Sequence, residues 1–119
     1  MTFHAFRAAN PTYSQVSTVG DLVFVSGRIG IDPATGQLAD GGIQPQTRHA
    51  IEAVARCLAA AGSSFDSCQG EFIFRGFRNE RCANEIYAQY FKQRPAKTGM
   101  GVDKLWVSAL IEIEVVASR

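Results

Sequence analysis

Neither sign of charge predominates in this sequence: twelve lysines and arginines stand against eleven aspartates and glutamates, a net charge of +1. Such a balance offers no basic surface to nucleic acid and no general attraction to acidic membrane. Cysteine is scarce and odd in number. Cys57, Cys68 and Cys82 lack C-x-x-C spacing, which argues against a disulfide framework and against a zinc site, and suits a reducing cytoplasm. Only two histidines, His4 and His49, are present, far apart and in no Ser/His/Asp order. No glycine-rich loop opens a helix in the phosphate-binding manner. Met1 to Arg7 holds no apolar run of signal-peptide length, and no stretch approaches the span of a membrane helix. A soluble cytoplasmic protein without metal is expected.

What is present is an ordinary globular composition, 46% hydrophobic and 19% charged over 119 residues. That suits one domain, 1–119, with a modest core. Thr2 to Arg7 alternates loosely as a short strand, broken by Asn10-Pro11-Thr12. Val16 to Val19, the turn Gly20-Asp21 and Leu22-Val23-Phe24-Val25 read as a β-hairpin. Ser26-Gly27-Arg28 ends that run, Ile29 to Ile31 resumes it briefly, and Asp32 to Gly42 reads as surface loop. Pro45 suits a first helical position. Ile51, Val54, Ala55, Leu58 and Ala59 then recur at helical spacing until Gly62, with Cys57 on the buried flank and His49 on the polar side. After a polar loop, Ser63 to Ser67, a strand is expected over Cys68 to Phe77. Asn79 is a candidate cap for a second helix carrying Ala83, Ile86, Tyr87, Tyr90 and Phe91.

Pro95 cannot continue that helix. If the residues beyond it form a strand, Lys97, Gly99 and Gly101 share one face and Thr98, Met100 and Val102 the other. A lysine over two positions without side chains could admit a small anion to main-chain N–H groups. Spacing alone favours a surface lysine on a glycine-softened edge strand. Asp103 to Trp106 interrupts the chain, and Ala109 to Ala117 is a long alternating strand. Glu112 and Glu114 lie about 7 Å apart on one face of it, a spacing open to acid–base work but also to a solvated strand face. Leu110 and Val116 on that face argue for partial burial. Two helices can cover only one face of a β-β-β-α-β-α-β-β sheet, which means α+β. The apolar residues on the other face point to a homo-oligomer built sheet to sheet.

The run from Leu22 through Ser26-Gly27-Arg28-Ile29-Gly30-Ile31-Asp32-Pro33 to Gly36 resembles the signature of the Rid (YjgF) family, the reactive-intermediate deaminases. Gln46-Thr47-Arg48, Ala60-Ala61-Gly62, Asn84-Glu85-Ile86-Tyr87, Pro95-Ala96-Lys97-Thr98 and Ile111-Glu112-Ile113-Glu114 match as well, so the likeness runs from about Tyr13 to Ala117. It implies a chorismate-mutase-like α+β fold and a homotrimer whose sheets line a central barrel, with ligand clefts between subunits. Active members hydrolyse 2-imino or enamino acids, made by pyridoxal-phosphate enzymes, to 2-oxo acids and ammonia, without metal or cofactor. By position, Glu112 would activate water and Tyr13 would close the pocket. Gly27 and the backbone around Thr98 and Gly99 would line the cleft.

The family's carboxylate-holding arginine is Lys97 here, and lysine lacks the planar fork that grips a carboxylate through two parallel hydrogen bonds. Arg28 replaces a usual glutamine and is expected to bring a guanidinium from another direction. Gly99 stands where a bulkier residue is common and widens the pocket. These departures define a divergent subgroup. The resemblance therefore implies deamination of a small carboxylated imine or enamine. Its alternatives are hydrolysis of another small carbonyl compound and a non-catalytic, regulatory trimer that binds small carboxylates. The family's association with RNA cleavage finds no support in the charge balance.

Overall fold

The structure, a computed structural model, describes residues 2–4, 12–76 and 78–119, with side chains from residue 12 onward other than 71 and 72. Thr2–His4 (β1), Val16–Val19 (β2), Leu22–Ile29 (β3), Cys68–Arg75 (β6), Lys97–Val102 (β7) and Ile111–Ser118 (β8) form one sheet in the order β1-β2-β3-β8-β6-β7. Ile31–Asp32 (β4) and Gln37–Leu38 (β5) make a separate two-stranded ladder. Helices Ile43–Ala60 (α1) and Glu80–Tyr90 (α2) pack on one face of the large sheet and against each other. Every neighbouring pair in that sheet is antiparallel except β6 and β7. Those two are joined through α2, because parallel strands need a crossover rather than a hairpin.

Alternation sets which face is covered. Ile111, Ile113, Val115 and Ala117 of β8 are buried, as are Val16, Val23, Val25 and Phe74 on neighbouring strands. They meet Ala50, Ile51, Val54 and Leu58 of α1 and Ala83 and Ile86 of α2 in one continuous core. Phe91 closes its end, stacked on Tyr87 at 4.3 Å and tilted against Phe65 at 4.4 Å. The opposite face has no covering layer among the described residues, and Val19, Leu22 and Phe24 are exposed on it.

Several expectations are corrected. β3 does not end at Ser26 but runs through Gly27 and Arg28 to Ile29, because it bulges: its register with β8 shifts between Val25 and Arg28. The expected loop after Asp32 contains the β4–β5 ladder, closed by a turn in which the Asp32 carbonyl accepts from Gly36 N at 2.8 Å and the Asp32 carboxylate from Ala34 N at 2.9 Å. α1 begins at Ile43, with Pro45 in the first turn where its missing N–H leaves nothing unpaired. Its buried face includes Ala50 as well as the expected Cys57, but neither Ala55 nor Ala59. Asn79 precedes α2 but makes no capping hydrogen bond through its side chain. The polar loop holds a single 3-10 turn, Phe65–Ser67, and β8 spans Ile111–Ser118. Residues 5–7 of the expected first strand, Asn10 and Pro11 of its break, and Phe77 at the end of the strand expected from Cys68 lie outside the described residues.

Gly30 fixes how closely α1 approaches the sheet edge. A Cβ there would sit 2.5 Å from Gln46 Cα and 2.7 Å from its carbonyl carbon, and main chain cannot swing aside. Gln46 in turn accepts from Leu110 N at 2.9 Å, tying α1 to the start of β8. Gly30→Ala is expected to destabilise the fold by about 1–3 kcal/mol, read as a lower midpoint in urea with an unchanged slope.

Candidate active site

Glu112 lies on the uncovered face of β8, half-buried between two isoleucines: its cross-strand neighbours are Ile29 on β3 and Ile73 on β6. The β3 bulge leaves Ser26 and Gly27 out of the ladder and brings Gly27 against the Glu112 side chain. A Cβ on Gly27 would lie 2.8 Å from the Glu112 Cδ and would overlap its carboxylate oxygen. Only glycine admits the carboxylate to this position. Ser26 holds the bulge to the segment before β2, its N–H donating to the Gln15 carbonyl at 2.9 Å and its hydroxyl to the Ser14 carbonyl at 2.6 Å. Tyr13, next in the chain, is 52% exposed. Gly27 and Glu112 thus meet at the bulge, and Tyr13 lies one residue before the Ser14 carbonyl that anchors it.

Lys97 begins β7, the outer strand of the sheet beyond β6. Its strand partner is Gly70, which also pairs with the buried Val115, so the lysine faces the helices. Its ammonium donates to Asn84 Oδ1 of α2 and stands 4.9 Å from the Tyr87 ring centroid. Burial lowers its pKa from the ordinary lysine value, and the nearby Glu80 carboxylate opposes that shift. Burial also pushes the Tyr87 hydroxyl up to about 12, with a smaller contribution from Cys68. Thr98 and Gly99 are exposed, and a Cβ on Gly99 would be in ordinary contact with Phe74 at 3.8 Å and Glu80 at 3.9 Å. A cavity of about 200 Å³ opens beside Lys97 and Thr98, with Gly70 and Glu114 on its wall.

The two candidate groups therefore stand apart within one chain. The carboxylate and the lysine belong to opposite faces of the sheet, two strands apart. Arg28 joins neither: it pairs with the fully buried Ile113 and reaches the Cys57 thiol under α1, away from Glu112. Sequence reasoning missed Asn84 and Tyr87 as the setting of Lys97. Tyr87 was read as part of an apolar stripe and, with Asn84, of a run resembling the family, but neither was tied to Lys97. The three-residue spacing that puts Asn84 beside Tyr87 on α2 was the available signal. Cys57 is buried, as expected, and Cys68 is too, its pKa raised to about 11 by burial and secondarily by Asp66.

Two helices on one face of a mixed sheet, with a bulged strand carrying glycine beneath a carboxylate, define a YjgF-like α+β domain. Residues 2–119 match the family model of endoribonuclease L-PSP. Human 2-iminobutanoate/2-iminopropanoate deaminase is 37% identical over 107 residues, which cover 88% of this chain and 78% of that protein. The Rid-family protein YyfA of Yersinia pestis superposes with a TM-score of 0.88 at 34% identity, over 94% of this chain and 91% of its own. E. coli TdcF with bound serine superposes with a TM-score of 0.86 at 31% identity, over 100% and 96%. The chain belongs to the endoribonuclease L-PSP family, the Rid (YjgF) proteins. No helix among the described residues is long and apolar enough to cross a membrane.

Proposed function

We propose that this protein is an imine deaminase that hydrolyses small 2-imino acids to 2-oxo acids and ammonia, in a cleft completed by the neighbouring subunit of a homotrimer. The observation that carries the reading is the half-buried Glu112 carboxylate lying over the bare backbone of Gly27 between two isoleucines. A half-buried carboxylate over bare backbone can hold a water against a small substrate once a second subunit covers the face. Glu112 takes a proton from that water as its oxygen bonds to the imine carbon. That proton passes to nitrogen, giving a carbinolamine. The hydroxyl proton then follows to nitrogen through the same carboxylate as the C–N bond breaks, and ammonia leaves with the carbonyl formed. The names of the human deaminase and of the serine-bound TdcF support a small amino-acid-like ligand.

Lys97 serves as the anion anchor, and because it faces away from Glu112 of its own chain, it must serve the Glu112 of another. The exposed Val19, Leu22 and Phe24 on the open sheet face supply the apolar surface that a second copy would cover. Tyr13 closes the cleft, with Gly27, Thr98 and Gly99 along its wall. Arg28 is left out of this clamp by its position under α1. An ammonium makes a single-point contact where a guanidinium makes two. Lys97→Met is therefore expected to raise KM for 2-iminobutanoate about tenfold or more, and Lys97→Arg to lower it.

The test generates 2-iminopropanoate from serine with a pyridoxal-phosphate dehydratase and follows its decay by trapping. Faster decay with the protein, lost in Glu112→Ala, supports the deaminase. No acceleration, with 2-oxo acids still bound, would instead mean a non-catalytic carboxylate-binding trimer.

A further inference from the structure

We infer that a second site, on the opposite side of β3 from Glu112, binds a small organic carboxylate between Arg28 and Arg56. A cavity of about 330 Å³ opens between the end of β3, β4 and α1. Arg28 enters it from β3, because its partner Ile113 is fully buried and antiparallel partners share a face. Arg56 enters from α1, and Cys57 forms part of the wall between them. Both guanidinium groups act on the Cys57 thiol: burial raises its pKa, and first Arg28, then Arg56, pull it back.

Among the described residues, neither arginine forms a salt bridge with a carboxylate. Two like charges gathered at one concave, half-enclosed place repel each other, and an anion between them reverses the sign of that interaction. The fork geometry of guanidinium suits a carboxylate. Ile31, Pro33 and Ala53 supply an apolar wall that a bare inorganic anion would leave unused. A carboxylate with a short branched carbon body satisfies both features. The site is separate from Lys97 and Glu112, and its occupancy does not depend on the deaminase reading.

The test is protection of Cys57. The full-length protein is treated with iodoacetamide, an uncharged reagent, and alkylation of the Cys57 peptide is followed by mass spectrometry. Binding of the same probes is measured in parallel by calorimetry, so that the affinities serve as the readout where this buried thiol does not react. The probes are 3-methylbutanoate, acetate and inorganic phosphate. 3-Methylbutanoate is expected to slow Cys57 alkylation at lower concentration than acetate or phosphate, and to leave the Cys82 rate unchanged. Arg56→Gln, at an exposed helix position, and Arg28→Gln are each expected to weaken this protection at least about tenfold. Arg28→Lys should weaken it less, and Lys97→Met should leave it intact. Protection that survives the double change Arg28→Gln/Arg56→Gln, or that vanishes in Lys97→Met, would overturn the inference, as would equal protection by phosphate and 3-methylbutanoate.

Discussion

Glu112→Gln is expected to lower kcat for 2-iminobutanoate hydrolysis about 10²–10⁴-fold, with KM little changed and the thermal midpoint within a few degrees of the parent. The amide fills the same space between Ile29 and Ile73 and over Gly27, so the bulge and the core behind it keep their geometry. What is lost is the ability to accept a proton from water. Substrate binding is assigned to Lys97, on another element, which is why the loss falls on kcat. A parallel rise in KM would show instead that Glu112 contacts the substrate in its ground state.

Gly27→Ala carries the second largest effect. Its methyl group would lie 2.8 Å from Glu112 Cδ and 3.0 Å from Cγ, so either the carboxylate or the bulge must move. Displacing a catalytic group by about 1 Å costs on the order of 10²-fold in rate. The stability cost is the smaller effect, about 1 kcal/mol, because the atoms struck belong to a flexible side chain that can swing aside. The two effects separate in the double variant. Glu112→Ala removes the atoms that the new methyl strikes, so Gly27→Ala/Glu112→Ala should recover most of the stability lost in Gly27→Ala but none of the activity. The coupling is measured as the interaction energy of a double-mutant cycle in urea. Additive stabilities would mean that Gly27 and Glu112 do not meet as described.

Much of this architecture was legible in the residues, for a physical reason. Ile111, Ile113 and Val115 alternate with Glu112 and Glu114, and strict alternation assigns a face to each side chain without further information. Ile51, Val54 and Leu58 did the same for α1 at helical spacing. The parity that separates Lys97 from Thr98 was also readable, and β7 keeps it. What could not be read was register between strands. The β3 bulge depends on how Val25 and Arg28 align with β8, a relation between residues nearly ninety positions apart that leaves no local pattern. Ser26-Gly27-Arg28 therefore looked like the end of a strand rather than the bend that seats a glycine under Glu112. The face of Arg28 was hidden for the same reason: it was fixed only once Ile113 was known to be its partner. Motif likeness identified Lys97 and Glu112 separately. Only the fold shows that they look out from opposite sides of one sheet.

That separation makes the shared cleft the central claim, and subunit mixing tests it most directly. Glu112→Ala chains, nearly inactive alone, and Lys97→Met chains, left with about a tenth or less of the activity at substrate below KM, are unfolded together in equal amounts, refolded and assayed for 2-iminopropanoate decay at low substrate. If each site takes Glu112 from one chain and Lys97 from its neighbour, about a quarter of the sites in randomly mixed trimers hold both, and about a quarter of wild-type activity should return. Activity that stays at the level of the separate variants, although mixed oligomers have formed, would contradict a site built between subunits.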